Sequence, residues 1–145
     1  MRQLTILRGI QGSGKSTFAK TLEEAVIVSA DHYFEKPHGG FDYDPAKLPQ
    51  AQRTCFKNFL ELTGNGHKHI VVDNINPLAE DIAPYYLVGL ARRYEISIVT
   101  MVCEPKVALR RNIHHVPWED IWKIYTLIKR ERLPKEWFCE VVENN

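Results

Sequence analysis

Long apolar runs are missing from this sequence. None approaches the roughly 18 to 20 residues that a membrane-spanning helix needs, and the first apolar stretch is broken too soon for a signal peptide. An excess of one charge is missing too. With 19 Lys and Arg against 18 Asp and Glu, the formal net charge is +1, so the chain lacks the broad positive field that supports non-specific nucleic-acid binding. Any nucleic-acid partner must be held by a local site. Cysteine is scarce: Cys55, Cys103 and Cys139 are odd in number, far apart, and form no Cys-x-x-Cys pair. That pattern argues for reduced thiols and a cytoplasmic setting rather than a disulfide framework or a redox or metal site. Repeats, low-complexity tracts and linkers are also lacking. With 145 residues, 44% of them hydrophobic and 26% charged, the expectation is a single domain over residues 1–145 with one core.

What is present is an alternation of strand-like and helix-like segments. Gln3 to Leu7 reads as a strand, a glycine-rich turn follows at once, and Lys15 to Glu24 reads as a helix with Phe18, Ala19 and Leu22 on one face. "AVIVSAD" (Ala25 to Asp31) and "HIVVDN" (His69 to Asn74) are apolar runs that reach an acid, the form of parallel strands buried on both faces. Between them lie a long irregular stretch, residues 32–50, rich in Pro, Gly and aromatics, and a helix from Leu48 or Pro49 to Thr63 closed by "GNG". Pro77 to Tyr94 reads as helical with Pro84 near its start or at a break, Glu95 to Cys103 as a fourth strand, and Pro105 to Asn112 as a short arginine-rich helix. Pro117 suits the first turn of a last helix carrying Trp118, Ile121, Trp122, Tyr125 and Ile128 on one side, and Trp137 to Val142 can add a fifth strand. The pattern predicts an α/β fold, a parallel sheet of four to five strands with helices on both faces. Ligands then bind beyond the carboxyl ends of the strands.

The turn after the first strand, "GIQGSGKST", contains Gly-x-x-x-x-Gly-Lys-Ser from Gly9 to Ser16. Gly9, Gly12, Ser13 and Gly14 let backbone N–H groups turn inward around phosphate oxygens, because glycine tolerates positive φ and leaves no side chain in the way. Lys15 supplies a cation for the β- and γ-phosphates, the Ser16 hydroxyl is placed to ligate Mg²⁺, and Thr17 meets a neighbouring phosphate. ATP with Mg²⁺ is the expected ligand pair, in a P-loop NTPase or kinase fold.

Asp31 and Asp73 stand where the neighbouring strands open beside such a γ-phosphate. One carboxylate there can orient the metal and the other can take a proton from an acceptor hydroxyl. Asp73 fits the metal-associated acid, and Asp31, at the head of the long loop, fits the base. Each could instead cap the element that follows it. "ALRRNIHH" places Arg110 and Arg111 in a lid-like region at about 105–117, where an arginine can stabilise charge on the transferring group. Adjacent helical positions point apart, so one arginine enters, and Arg111 is favoured. His114 and His115, without nearby Cys or acidic ligands, read as loop residues. Tyr33, Phe34, Phe41 and Tyr43 can stack on a base or pack the loop against the core.

The ordered set "GIQGSGKST", "SADHYF", "VVDNIN" and "RRNIHHVP" resembles the phosphate-loop kinase domain of the bacteriophage type of polynucleotide 5′-kinase, including the related domain of a human ubiquitin-ligase-binding protein. The resemblance covers nearly the whole chain. It implies an ATP- and Mg²⁺-dependent kinase acting on the 5′-hydroxyl of a polynucleotide or oligonucleotide, with Asp31 as the general base. It also implies that Asp73 and Asn76 lie beside the acceptor, and that Arg111, preceding Asn112, is the lid arginine. The chain departs from that family in two places. A second lid arginine is replaced by histidine near His115, and an arginine that helps hold the acceptor's 3′-phosphate is replaced by Phe34. A small-molecule acceptor (a nucleoside, sugar or antibiotic) and a nucleotide-binding regulatory module without transfer are the alternative readings.

Overall fold

The computed structural model describes residues 1–111 and 115–145. Five parallel strands, β1 (Gln3–Arg8), β2 (Val26–Val28), β3 (His69–Asp73), β4 (Glu95–Val102) and β5 (Cys139–Glu143), form one sheet in the order β2-β3-β1-β4-β5. The five helices are α1 (Lys15–Lys20), α2 (Leu48–Gly64), α3 (Ala79–Ala91), α4 (Pro105–Arg110) and α5 (Trp118–Arg130).

Alternation along β1 divides the core. Leu4 and Ile6, with Ile70 and Val72 of β3, face α2 and α3, where Cys55, Phe59, Ile82 and Tyr85 pack against them. Leu7, Val71, Val99 and Met101 face the other way, onto Ala19 and Phe18 of α1. Phe59 is fully buried, and truncating such an aromatic to alanine costs about 3–5 kcal/mol. A third cluster, Ile10, Cys103, Ala108 and Ile121, seats α4 and α5 against the end of β4. Burial on both faces explains why the central strands read as continuous apolar runs.

Several expected elements are shorter than their patterns. The run Ala25 to Asp31 yields only a three-residue edge strand, because the Ser29 hydroxyl accepts from the Asp31 N–H at 3.2 Å and starts a 3₁₀ turn over Ala30–Phe34. Asp31 therefore sits one turn beyond the strand. Helix α1 stops at Lys20, where the Thr21 hydroxyl donates to the Phe18 carbonyl at 2.6 Å. Helix α3 begins at Ala79 behind an Asp81 carboxylate that accepts from the Leu78 N–H at 3.0 Å, and it runs on through Pro84. Helix α4 ends at Arg110. Among the described residues no helix is long and apolar enough to cross a membrane.

Candidate active site

The glycine-rich turn and the carboxyl ends of β1, β3 and β4 share one end of the sheet, and β2 delivers Asp31 to the same end. Gly12 (φ 80°) and Gly14 (φ 97°) adopt left-handed backbone conformations, and a side chain on Gly12 would strike the Ala108 carbonyl of α4. Only glycine meets both demands. Lys15 is buried, and its ammonium donates to the Ile10 carbonyl at 3.1 Å across the loop. Burial lowers its pKa, while the carboxylates of Asp73 and Asp31 pull it back up. Both acids thus bear on the lysine.

Asp73 and Ser16 meet directly: the Ser16 hydroxyl donates to Asp73 Oδ2 at 2.8 Å. Asp73 is buried, whereas Ser16 and Thr17 open to solvent at the mouth. Ser13 Oγ and Gln11 Oε1 are buried oxygens without a hydrogen-bond partner among the described residues, so the phosphate loop keeps polar capacity that its own fold does not use. Asp31 is exposed on its 3₁₀ turn. The turn is tied to β3 by Asn74, whose Oδ1 accepts from the Ala30 N–H at 2.9 Å. Behind it, the Asn74 amide and the Tyr85 hydroxyl both donate to Cys55 Sγ, at 3.5 and 3.3 Å. Burial, the largest cause, pushes the Cys55 thiol and the Tyr85 hydroxyl up in pKa, so both stay neutral donors or acceptors.

Asn76 is bonded to the end of β1. It is buried in a left-handed conformation (φ 48°), its amide donates to the Leu7 carbonyl at 2.8 Å, and its own carbonyl accepts from Arg8 Nε at 3.1 Å. Its side chain ties the segment after β3 to β1. Arg111 follows α4 and is exposed; its Nη1 donates to the Asn144 carbonyl at 2.9 Å. The Asn144 amide in turn donates to the Ser13 carbonyl at 2.9 Å. Arg111 is thereby linked to the phosphate loop through one residue, while Arg110 is exposed in the last turn of α4. Asn112 and His114 lie outside the described residues. Phe34 is buried, edge-to-face with Tyr33, Phe41 and Tyr43 at centroid separations of 5.3, 5.9 and 5.1 Å. Through Phe34 and Phe41 these rings pack the loop against the main core, although Tyr33 and Tyr43 also keep exposed surface.

Sequence reasoning missed the positioning roles of Ser29, Asn74 and Asn144. A Ser two residues before Asp31 was a readable capping signal, whereas the long-range partners of Asn74 and Asn144 leave no local trace.

Residues 4–115 match the AAA domain family, most of the chain and all of the phosphate loop. The chain belongs to that family. Within it, 129 residues are 33% identical to NEDD4-binding protein 2 of Homo sapiens, an alignment covering 83% of this chain and 7% of that protein. Among solved structures, one from the Pnkp1/Rnl/Hen1 RNA repair complex superposes with a TM-score of 0.69 at 21% identity, covering 88% of this chain and 44% of that one. A sugar kinase from Janibacter sp. HTCC2649 superposes with a TM-score of 0.63 at 17% identity, covering 99% and 86%. At these identities the structural likeness is one of fold: this AAA family member has a P-loop kinase-like fold whose neighbours include a chain of an RNA repair complex and a sugar kinase. It spans a small part of the human relative and under half of the repair-complex chain.

Proposed function

We propose that this chain transfers the γ-phosphoryl of ATP to a hydroxyl, and that the acceptor is the 5′-hydroxyl of a polynucleotide or oligonucleotide. The observation that carries the reading is the convergence of Lys15, Ser16, Asp73 and Asp31 at one end of the sheet, with two acids bearing on one buried ammonium. In this reading Asp31, exposed at the mouth, takes the proton of the attacking hydroxyl as its oxygen bonds to phosphorus and the bond to the ADP oxygen breaks. Lys15 steadies the phosphates through this step, and Arg111 offsets charge on the transferring group.

The residues suit Mg²⁺. Ser16 and Asp73 place a hydroxyl and a carboxylate oxygen 2.8 Å apart, the hard-oxygen pair that such an ion combines with substrate phosphates. Among the described residues no three His, Cys, Asp or Glu side chains gather as a metal cage, so the nucleotide would supply much of the coordination. When bound, the ion neutralises charge on the β- and γ-phosphates.

The polynucleotide acceptor draws on the ordered motifs and on the fold shared with the RNA-repair-complex chain. A small-molecule acceptor is the second reading. It is favoured by the sugar-kinase likeness over 99% of the chain and by Phe34, buried where the phage-type enzymes carry a phosphate-holding arginine. Incubation with γ-labelled ATP and a panel of 5′-hydroxyl DNA, 5′-hydroxyl RNA, nucleosides and sugars separates the two. Label on an oligonucleotide is the expected result. Label on a sugar or nucleoside alone would overturn the polynucleotide reading, and ATP binding with label on nothing would favour a regulatory module.

A further inference from the structure

Arg8 ends β1, immediately before the phosphate loop, and is only 5% exposed. Its guanidinium donates to main-chain carbonyls: Nε to Asn76 at 3.1 Å, and Nη2 to Pro77 at 2.6 Å and Ile128 at 3.3 Å. The acids whose fields favour its charge are engaged nearby. Glu131 accepts from the Ala79 N–H at 2.9 Å, and Asp81 from the Leu78 N–H at 3.0 Å. Among the described residues Arg8 makes no hydrogen bond to a carboxylate. The Arg8 charge is met by neutral carbonyls and by the fields of Glu131 and Asp81 without a direct carboxylate bond, and burial, the largest cause, still lowers its pKa.

Arg8 lines a cavity of about 520 Å³ between the β4–β5 edge of the sheet, α5 and the segment leading to β5. Val102, Ile128, Leu133, Trp137 and Val141 supply apolar walls, and the exposed Lys129 and Lys135 complete the lining. The lining thus carries three cations and no carboxylate. The volume falls within the range of small-molecule sites, and an apolar wall with a few converging charges is their usual character. The lining reaches Ile10, whose carbonyl accepts from Lys15, and Cys103, which Arg111 contacts, but includes neither Asp31 nor Asp73.

We propose that this cavity binds a small amphiphilic anion, an aromatic or aliphatic body carrying one carboxylate that completes the charge of Arg8. The apolar body lies along Val102, Ile128 and Trp137, and Lys129 and Lys135 set the sign of the field at the rim. The inference stands independently of the acceptor.

Isothermal titration with 2-naphthoate and with 2-naphthalenemethanol, the same body with and without the charge, tests it. Naphthoate is expected to bind one to one with a Kd on the order of 100 µM or tighter, and the alcohol at least about tenfold more weakly. Val141→Trp, which narrows the cavity, should abolish naphthoate binding. Reversing the rim with Lys129→Glu and Lys135→Glu, two exposed positions, should weaken naphthoate and leave the alcohol unchanged. Equal affinity for the two probes, no heat with naphthoate up to 1 mM, or unchanged binding in either variant overturns the proposal.

Discussion

The two acids at the site are carried by very different pieces of structure. Asp73 ends β3, hydrogen-bonded in register to β1 and β2 on either side, and is buried against Ser16. Asp31 rides on a 3₁₀ turn beyond a three-residue edge strand, exposed, with the turn held by the Ser29 hydroxyl and the Asn74 amide. One half of the candidate site is built on hydrogen-bonded sheet beside the glycine-rich turn. The other half is an exposed turn, where the proposed reaction would meet its acceptor. The division predicts that nucleotide binding and phosphoryl transfer separate under mutation.

Asp31→Ala should sharpen that comparison most. Transfer is expected to fall by at least ~100-fold, the usual scale of general-base catalysis, while ATP affinity stays near wild type. Single-turnover assays with labelled ATP measure both, and unchanged transfer would remove Asp31 from the base role. Lys15→Met strikes the rigid half instead, raising the Kd for ATP by about tenfold or more through loss of charge-assisted bonds to phosphate. It should also raise the melting temperature of the nucleotide-free protein. Burial lowers the Lys15 pKa, so between the folded value and the unfolded value near 10.5 the unfolded chain binds more protons and wild-type stability rises with pH. The advantage of the Met variant should therefore shrink as pH climbs through that window; an advantage that grows with pH contradicts the assigned cause.

Smaller effects probe the tether. Asn74→Ala deletes the bond to the Ala30 N–H, worth about 1 kcal/mol, so transfer should drop about fivefold with ATP affinity unchanged. Loss of ATP affinity instead would place Asn74 in the phosphate grip. Asn144→Ala removes the amide on the Ser13 carbonyl while leaving the main-chain acceptor of Arg111 in place. A change in ATP Kd of about threefold or less is expected, by the same hydrogen-bond scale; equilibrium binding with a fluorescent ATP analogue would measure it.

Much of this was legible in the residues because the signals are local. The phosphate loop announces itself through glycines at fixed offsets, and its Gly12 and Gly14 occupy the backbone conformations that motivate the pattern. The parallel sheet followed from apolar runs alternating with helical stretches, down to the fifth strand. Boundaries were less legible. "AVIVSAD" is apolar enough for a seven-residue strand, but a single serine hydroxyl bonded two residues on outcompetes the ladder. The bond from the Asn76 amide to the Leu7 carbonyl was not legible for a related reason: a short amide in a left-handed turn is as suited to bonding backbone as to meeting a substrate. The tie between Arg111 and Asn144, 33 positions apart, depends on how β5 docks beside β4. No window along the chain contains both partners.

The aromatic cluster of Phe34, Phe41 and Tyr43 anchors the segment between β2 and α2 to the main core, because Phe34 belongs to the cluster that holds Leu4, Ile6 and Phe59. A segment anchored in this way cannot be exchanged without disturbing the core beneath the sheet. A graft of this loop from a relative would have to bring a residue that refills the place of Phe34 against β1 and β3, so the loop and the sheet beneath it are constrained to change together.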